Sequence, residues 1–408
     1  MTEQKPSEKK EFQEQIGYQT LEKPAYIGQH SKKLFIGIPK DSTHLERRVP
    51  LTPVGVSILV NNGHRVIIES GAGVEASYED RAYAEAGAEI SSDHEKIYDA
   101  QIVLKVTPPD SQEIPLLKPS QILISPIQLP TLKREVLEGM LKKKVTALAF
   151  EYIRDASKSF PIVRSMSEIA GSTSIMIASN YLSKPFGGKG ILLGGLTGVS
   201  PARVVILGAG IVGEFATRAA LGLGATVKLF DNNLYKLMRV QNHVGTRLAT
   251  SVFNPDRLME ELSRADVAIG AVHSGAGRTP ILVTEEMVQN MKPGSVIIDV
   301  SIDQGGCFET SEVTTHEHPV FRKYDIIHYC VPNIPSRVPK SASAAISNIL
   351  HPILMTISDY GGLDPYLEQV TYGRNGVYMY KGCLTNAHIG ELYGIKYTDV
   401  NLLIATGS

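Results

Sequence analysis

The sequence predicts an α/β fold: two doubly wound units with a cleft between them, linked by long helices. Three observations predict it. Short apolar runs bounded by glycine or proline alternate with helical patterns, the order that yields parallel sheets covered by helices on both faces. The alternation falls into two runs, one before Arg164 and one after it. Within the second run, Ala202 to Asp231 reads as strand, glycine turn, helix, strand and terminal acid. A chain of 408 residues with 43% hydrophobic residues is long enough for two or three such cores.

The elements follow in order. Residues 1–32 form a polar extension with a helical stretch expected around Lys9 to Leu21. LFIGIP (34–39) is the first strand. A helix over 51–62 is started by Thr52-Pro53, as cap and first-turn proline, and stopped by Gly63. Strands are expected at 64–69, 101–106, 121–124 and 145–150, with helices at 78–86 and 131–142. The second run opens with a long helix through SMSEIAGSTSIMIASNYLS, capped by Ser165 or Ser167. After the nucleotide-like unit come strands at 265–271, 295–300 and 326–330 and a helix at 285–291. A long helix over 341–358 then carries the chain back, and the C-terminal segment around 375–385 completes the first unit. This predicts one domain from 33–163 plus 343–408 and another from 164–342.

The most informative stretch is 202–231. Gly208, Gly210 and Gly213 stand in G-x-G-x-x-G spacing between a buried strand and a helix, with Ala209, Ile211 and Val212 between them. Gly208 permits the tight turn, Gly210 lets backbone approach a pyrophosphate, and Gly213 lets helix pack on strand. The helix N-terminus offers free N–H groups to phosphate. Asp231, ending the second strand, suits ribose hydroxyls and repels a 2′-phosphate. The unit is therefore Rossmann-like and expected to bind NAD rather than NADP.

Ligands in such sheets sit at the carboxyl ends of strands. That rule selects Arg47 and Arg48, Lys105, Gln128, Asp303 and Asn333. Lys105 is conspicuous among Ile102, Val103, Leu104 and Val106, because buried lysines without partners are rare and costly.

Other functions are disfavoured by composition. Lys+Arg is 41 against Asp+Glu 42, so no global basic field invites nucleic acid. Cys307, Cys330 and Cys383 show neither metal nor disulfide spacing, which suits a reducing cytoplasm. The polar N-terminus lacks a signal-peptide core, and no apolar run reaches the roughly 18 residues of a membrane span.

At these residues the chain resembles the alanine dehydrogenase and proton-translocating transhydrogenase family, most closely its dehydrogenase branch. GIPKDSTHLERRVPLTP is similar to the family's opening strand and arginine loop, IVLKV to its lysine strand, and SMSEIAG to its PMSE-x-AG. GGKGILLGG, the nucleotide fingerprint and LVTEEMVQNMKPGSVIIDVSIDQGG follow in the same order. The resemblance implies reversible oxidative deamination of L-alanine to pyruvate and ammonia, with hydride passing from the substrate α-carbon to NAD. It implies that Arg48 pairs with the substrate carboxylate and Lys105 engages the carboxylate or keto oxygen. Asp303 would lie beside the nicotinamide, Asn333 near the same ring, Ser167 on the cofactor and Asp231 on the adenosine ribose. It also implies a homo-oligomer, hexamer or dimer, acting on a small amino acid or 2-oxo acid without nucleic acid or membrane.

The sequence departs from the family at Gln128, where the dehydrogenases carry a general acid/base histidine. Glutamine hydrogen-bonds but does not shuttle a proton near neutral pH. The proton then falls to Lys105, Asp303 or water. Turnover of a different amino or keto acid, or NAD binding without turnover, are the alternatives this departure leaves open.

Overall fold

The computed structural model describes residues 31–41, 46–129, 132–274 and 277–406. The helical stretch expected around Lys9 to Leu21 lies outside them. The first sheet is built from β1 (Phe35–Ile38), β2 (Arg65–Glu69), β3 (Glu89–Ser91), β4 (Ile102–Leu104), β5 (Ile122–Ser125) and β6 (Thr146–Ala149). The second contains β7 (Arg203–Leu207), β8 (Thr226–Phe230), β9 (Ala249–Ser251), β10 (Val267–Gly270), β11 (Val296–Asp299), β12 (Val320–Lys323) and β13 (Ile326–Tyr329). The C-terminal segment then returns to the first sheet as β14 (Val377–Tyr380) and β15 (Cys383–Leu384).

The strand orders are β15-β14-β6-β5-β4-β1-β2-β3 and β12-β13-β11-β10-β7-β8-β9. Each sheet contains six parallel strands whose order reverses once, between β1 and β4 and between β7 and β10. That reversal is the switch point at which such sheets open a crevice. The sheets are parallel except at their edges. There β14 and β15 and, in the other sheet, β12 pair antiparallel. The β12–β13 hairpin turns through Tyr324 and Asp325, both at positive φ (54° and 58°), the backbone of a primed two-residue turn. β12 was not expected, because VFRK is too polar and too exposed to read as a strand.

Local signals place most helices. The first helix begins at Pro53, and Thr52 accepts the Gly55 N–H as its cap. The long helix is a correction. It runs Pro161–Leu182, starting at a first-turn proline rather than at Ser165 or Ser167. Ser165 lies inside it, its hydroxyl donating back to the Pro161 carbonyl at 2.9 Å. The helices Leu234–Val244 and Pro255–Arg264 escaped the sequence reading; each buries only two side chains.

Two helices tie the sheets together. Pro161–Leu182 contributes Ile162 to the core beneath the first sheet, and Ile175, Ile177, Ala178 and Leu182 to that beneath the second. It crosses Ile211–Gly222 so closely that a Cβ on Gly171 would lie 2.3 Å from the Val212 carbonyl oxygen. The helix Pro339–Asp359 packs Ile346, Leu350, Leu354 and Ile357 into the first core. Its Ser343 and Ser347 hydroxyls accept the N–H groups of Val49 and Thr52, fixing the loop that carries Arg48. Among the described residues no helix is long and apolar enough to cross a membrane.

Candidate active site

The glycine turn behaves as its spacing predicts. Gly208 has φ +104°, and a Cβ there would meet the Ala271 carbonyl oxygen at 2.4 Å. A Cβ on Gly213 would lie 1.8 Å from the Gly208 carbonyl oxygen, so the helix start rests directly on the turn. Gly210 caps that helix, and a Cβ there would meet nothing within 4 Å among the described residues, leaving its outer face open to a ligand. Ile211 and Val212 form the first turn, half-buried, with their N–H groups at the positive end of the helix. Asp231 follows β8 directly and is tied to the turn. Its Oδ2 accepts the Ala209 N–H and its Oδ1 the Asn233 N–H, both at 2.7 Å. The acid thus braces the turn it serves, with lone pairs left for hydroxyl donors. An open glycine face, an oriented helix start and a carboxylate at the second strand's end fit the adenosine and pyrophosphate of NAD.

The polar residues after the strands converge around a group that sequence reasoning missed. Glu46 is buried and grips Arg48: Arg48 Nε donates to Oε1 and Nη2 to Oε2, both at 2.7 Å. The Arg47 and Arg48 N–H groups also point to Oε1, at 3.1 and 2.9 Å. From the other sheet, Asn333 Nδ2 donates to Oε2 at 3.1 Å and the Ser336 hydroxyl to Oε1 at 3.3 Å. Burial pushes the Glu46 pKa up, but the charge and hydrogen bonds of Arg48 outweigh it and hold the carboxyl below its ordinary value. Arg48 is likewise held up by Glu46, against its own burial. The Nε–Nη2 edge of the guanidinium is therefore taken. The Nη1–Nη2 end, where Nη1 lies 3.4 Å from Met166 Sδ, is what can meet a second carboxylate. Ser167 is the next residue along that helix.

Asn333 sits at φ 56° just past β13 and donates its backbone N–H to Asp303 Oδ1 at 3.3 Å. Asp303 lies in the short turn Val300–Gln304 after β11 and opens to solvent on one side. The protein surrounding its other sides raises its pKa, opposed by the Asn333 hydrogen bond and the charge of Arg48. The turn is shaped by buried Asp299, which accepts the N–H groups of Ser301 and Cys307 and the Ser311 hydroxyl. Arg48, Asn333 and Asp303 thus form one connected group across the two sheets.

Lys105 and Gln128 lie on the neighbouring strand ends, β4 and β5. Lys105 is buried and ion-paired with Glu113, which also accepts the Tyr98 hydroxyl at 2.7 Å. Gln128 is exposed at φ 42°. Its N–H and that of Ile127 point to Glu151 Oε1, at 3.4 and 2.7 Å. Burial raises the Glu151 pKa against these bonds, and its Oε2 is buried without a hydrogen-bond partner among the described residues. Glu113 and Glu151 lie outside the stretches that carry the resemblance; Glu46 and Asp299 lie within two of them, but nothing along the chain shows which groups they hold. His273 is exposed beside Gln304 Nε2, at 3.3 Å.

Residues 37–170 match the family described as Alanine dehydrogenase/PNT, N-terminal domain, and residues 174–387 match Alanine dehydrogenase/PNT, C-terminal domain. The alanine dehydrogenase of Bacillus subtilis is 39% identical over 89% of this chain and 96% of its own length. That of Methanococcus maripaludis is 38% identical over 90% and 98%. A solved L-alanine dehydrogenase superposes with a TM-score of 0.83 at 36% identity, covering 88% of this chain and 99% of that one. A transhydrogenase from Sinorhizobium meliloti shares the fold at a TM-score of 0.73 and 24% identity. The two domain matches together span the sheets that meet at Glu46, and the chain belongs to the alanine dehydrogenase/PNT family.

Proposed function

We propose that this protein catalyses the reversible, NAD-dependent oxidative deamination of L-alanine to pyruvate and ammonia. One observation carries the reading beyond family membership: Glu46 joins the arginine of one sheet to Asn333 of the other, beside Asp303. A small carboxylate on Arg48 then lies where a nicotinamide beside Asn333 and Asp303 would reach it. Bound NAD supplies the two-electron acceptor.

The chain's own residues supply binding and proton handling. The Nη1–Nη2 end of Arg48, with Nη1 giving up its contact to Met166 Sδ and Nη2 offering its second N–H, takes the substrate carboxylate, a planar fork suited to it. The resemblance gives Lys105 the carboxylate or keto oxygen, where a positive charge would stabilise the charge that grows there. Asp303, whose pKa is raised, holds or releases a proton closer to neutrality than an ordinary carboxyl. Gln128 offers amide hydrogen bonds and no proton. Ser167, Gly208, Ala209, Gly210, Ile211, Val212, Gly213, Asp231 and Asn333 make up the NAD site. We assign 33–163 with 343–408 to the substrate unit and 164–342 to the nucleotide unit. The protein acts on small molecules as a cytoplasmic homo-oligomer, dimer or hexamer.

Purified protein with NAD and a panel of L-amino acids at high pH tests this. NADH formed with alanine supports the reading. NADH formed only with another amino acid replaces the substrate, a second reading that Gln128 in place of histidine favours. Tight NAD binding with no turnover refutes the activity. Sedimentation reads the oligomer.

A further inference from the structure

The glycine turn is tied to the helix Leu234–Val244 by side chains that lie outside the fingerprint. On that helix Arg239 and His243 stand four residues apart and so share one face. Both meet Glu214, the acid in the first turn of Ile211–Gly222. Glu214 is only 3% exposed, and a carboxylate so deeply buried needs partners. His243 Nδ1 lies 2.8 Å from its Oε1, and Arg239 Nε lies 3.3 Å from its Oε2. Anchored there, Arg239 reaches the turn: its Nη2 donates to the Ala209 carbonyl at 2.9 Å. Ala209 stands between the first two fingerprint glycines and is fully buried. Its N–H is already given to Asp231 Oδ2. Both the N–H and the carbonyl of Ala209 are therefore held by the segment that follows β8. That segment is braced in turn. Asp231 Oδ1 accepts the Asn233 N–H, and Asn233 Oδ1 accepts the Lys236 N–H as the cap of the helix carrying Arg239. Glycines on either side of Ala209 give the turn little stiffness of its own. The clamp restores it, and a turn ordered in advance spares the ligand that cost on binding.

We infer that Arg239, anchored by Glu214, is a positioning residue for the cofactor: it fixes the Ala209 carbonyl and so holds the glycine turn in the shape that receives pyrophosphate. Glu214 acts only through Arg239, and neither side chain needs to touch the cofactor. The inference rests on the NAD site described above and not on which amino acid is oxidised.

NAD is titrated calorimetrically into the full-length protein without amino acid, below the melting temperature of every variant. Binding by the parent reads the site itself; its failure overturns the site and the inference together. The ratio of variant to parent Kd reads the inference alone. Arg239→Met, which keeps the stem and loses the guanidinium, should raise the Kd about tenfold. Glu214→Ala should do the same by releasing Arg239. Because the two side chains form one clamp, the double variant should also lose about tenfold and not the product of the two factors. At saturating NAD the kcat for the active substrate should hold within about twofold, since no group at the reacting atoms has changed. A role confined to holding the fold would lower the melting temperatures and leave the Kd unmoved. An Arg239→Met Kd within about twofold of the parent therefore overturns the inference, as does a double variant that loses about a hundredfold. If Arg239→Met does not fold, Arg239→Lys decides. It keeps a cation beside Glu214, but one ammonium does not span both the carboxylate and the Ala209 carbonyl. A weakened Kd with a parent-like melting temperature supports the inference, and a parent-like Kd overturns it.

Discussion

The three fingerprint glycines share one motif, yet the structure separates their roles, and alanine substitution tests that separation. Gly213→Ala puts a Cβ 1.8 Å from the Gly208 carbonyl oxygen. No ordinary contact is that short, so turn and helix must part by more than 1 Å in a well-packed region. Such overpacking costs about 1–3 kcal/mol or more. Gly208→Ala adds a left-handed φ of +104° to a 2.4 Å clash, so it is at least as damaging. Gly210→Ala is different. Its φ of −70° suits alanine and its Cβ meets nothing within 4 Å among the described residues. Reduced chain entropy in the unfolded state, worth about 0.4–1 kcal/mol, largely offsets the roughly 0.5–1 kcal/mol lost when alanine replaces glycine as a cap. The apo protein should therefore melt within about 2 °C of the parent. The added methyl instead stands where pyrophosphate approaches, and NAD affinity should fall at least about tenfold, or ~1.4 kcal/mol. Thermal melts of the apo proteins and NAD titrations by calorimetry separate the two effects. If Gly210→Ala binds NAD like the parent, the phosphates do not lie against Gly210 and the cofactor placement is wrong. If it melts as low as Gly213→Ala, the packing argument fails.

Three further outcomes are expected. Gln128→His should raise alanine turnover, by up to the roughly 10²–10⁴-fold that general acid/base help is worth; histidine accepts the positive φ at this position better than most residues. A rate unaltered in both Gln128→His and Gln128→Ala would remove the residue from the mechanism. Arg48→Lys loses the fork to Glu46 and the planar end offered to substrate, so KM for alanine should rise until kcat/KM is about a hundredfold lower; steady-state kinetics that leave KM unmoved would show that Arg48 does not hold the carboxylate. His328 is fully buried between Thr310 and the Ile326 carbonyl, and burial pushes its pKa down to about 4. Because the unfolded chain binds the extra proton first, stability falls as pH drops through about 6.5, reaching a loss of roughly 3 kcal/mol near pH 4. Denaturant melts from pH 7 to 4.5 should show this slope in the parent and lack most of it in His328→Gln; equal slopes would refute the assignment.

The parts legible in the sequence were those encoded locally. Alternating apolar runs, Thr52-Pro53 at a helix start and G-x-G-x-x-G before Asp231 are signals contained within about thirty residues. They led to the two doubly wound sheets and to the glycine turn. The long helix was misplaced by four residues because Pro161 and Ser165 both resemble helix starts, and only the packing of Ile162 in the first core chooses between them. Lys105 was legible as anomalous, since a charge among apolar strand residues needs a partner. Its partner was not legible, because Glu113 reaches it by folding back a loop whose path no periodicity describes.

By itself, then, the sequence determined the element order, the nucleotide fingerprint, the strand-end residues and the family they resemble, because each depends on neighbours along the chain. Only the tertiary structure decided which carboxylates govern those residues. Glu46 meets Asn333 and Ser336 across separations of 287 and 290 residues, and Ser343 and Ser347 anchor the arginine loop from a helix nearly three hundred residues away. Such partners are set by how the two sheets pack, and burial then makes their charges count: a carboxylate that is incidental in water fixes an arginine or a lysine once both are removed from it.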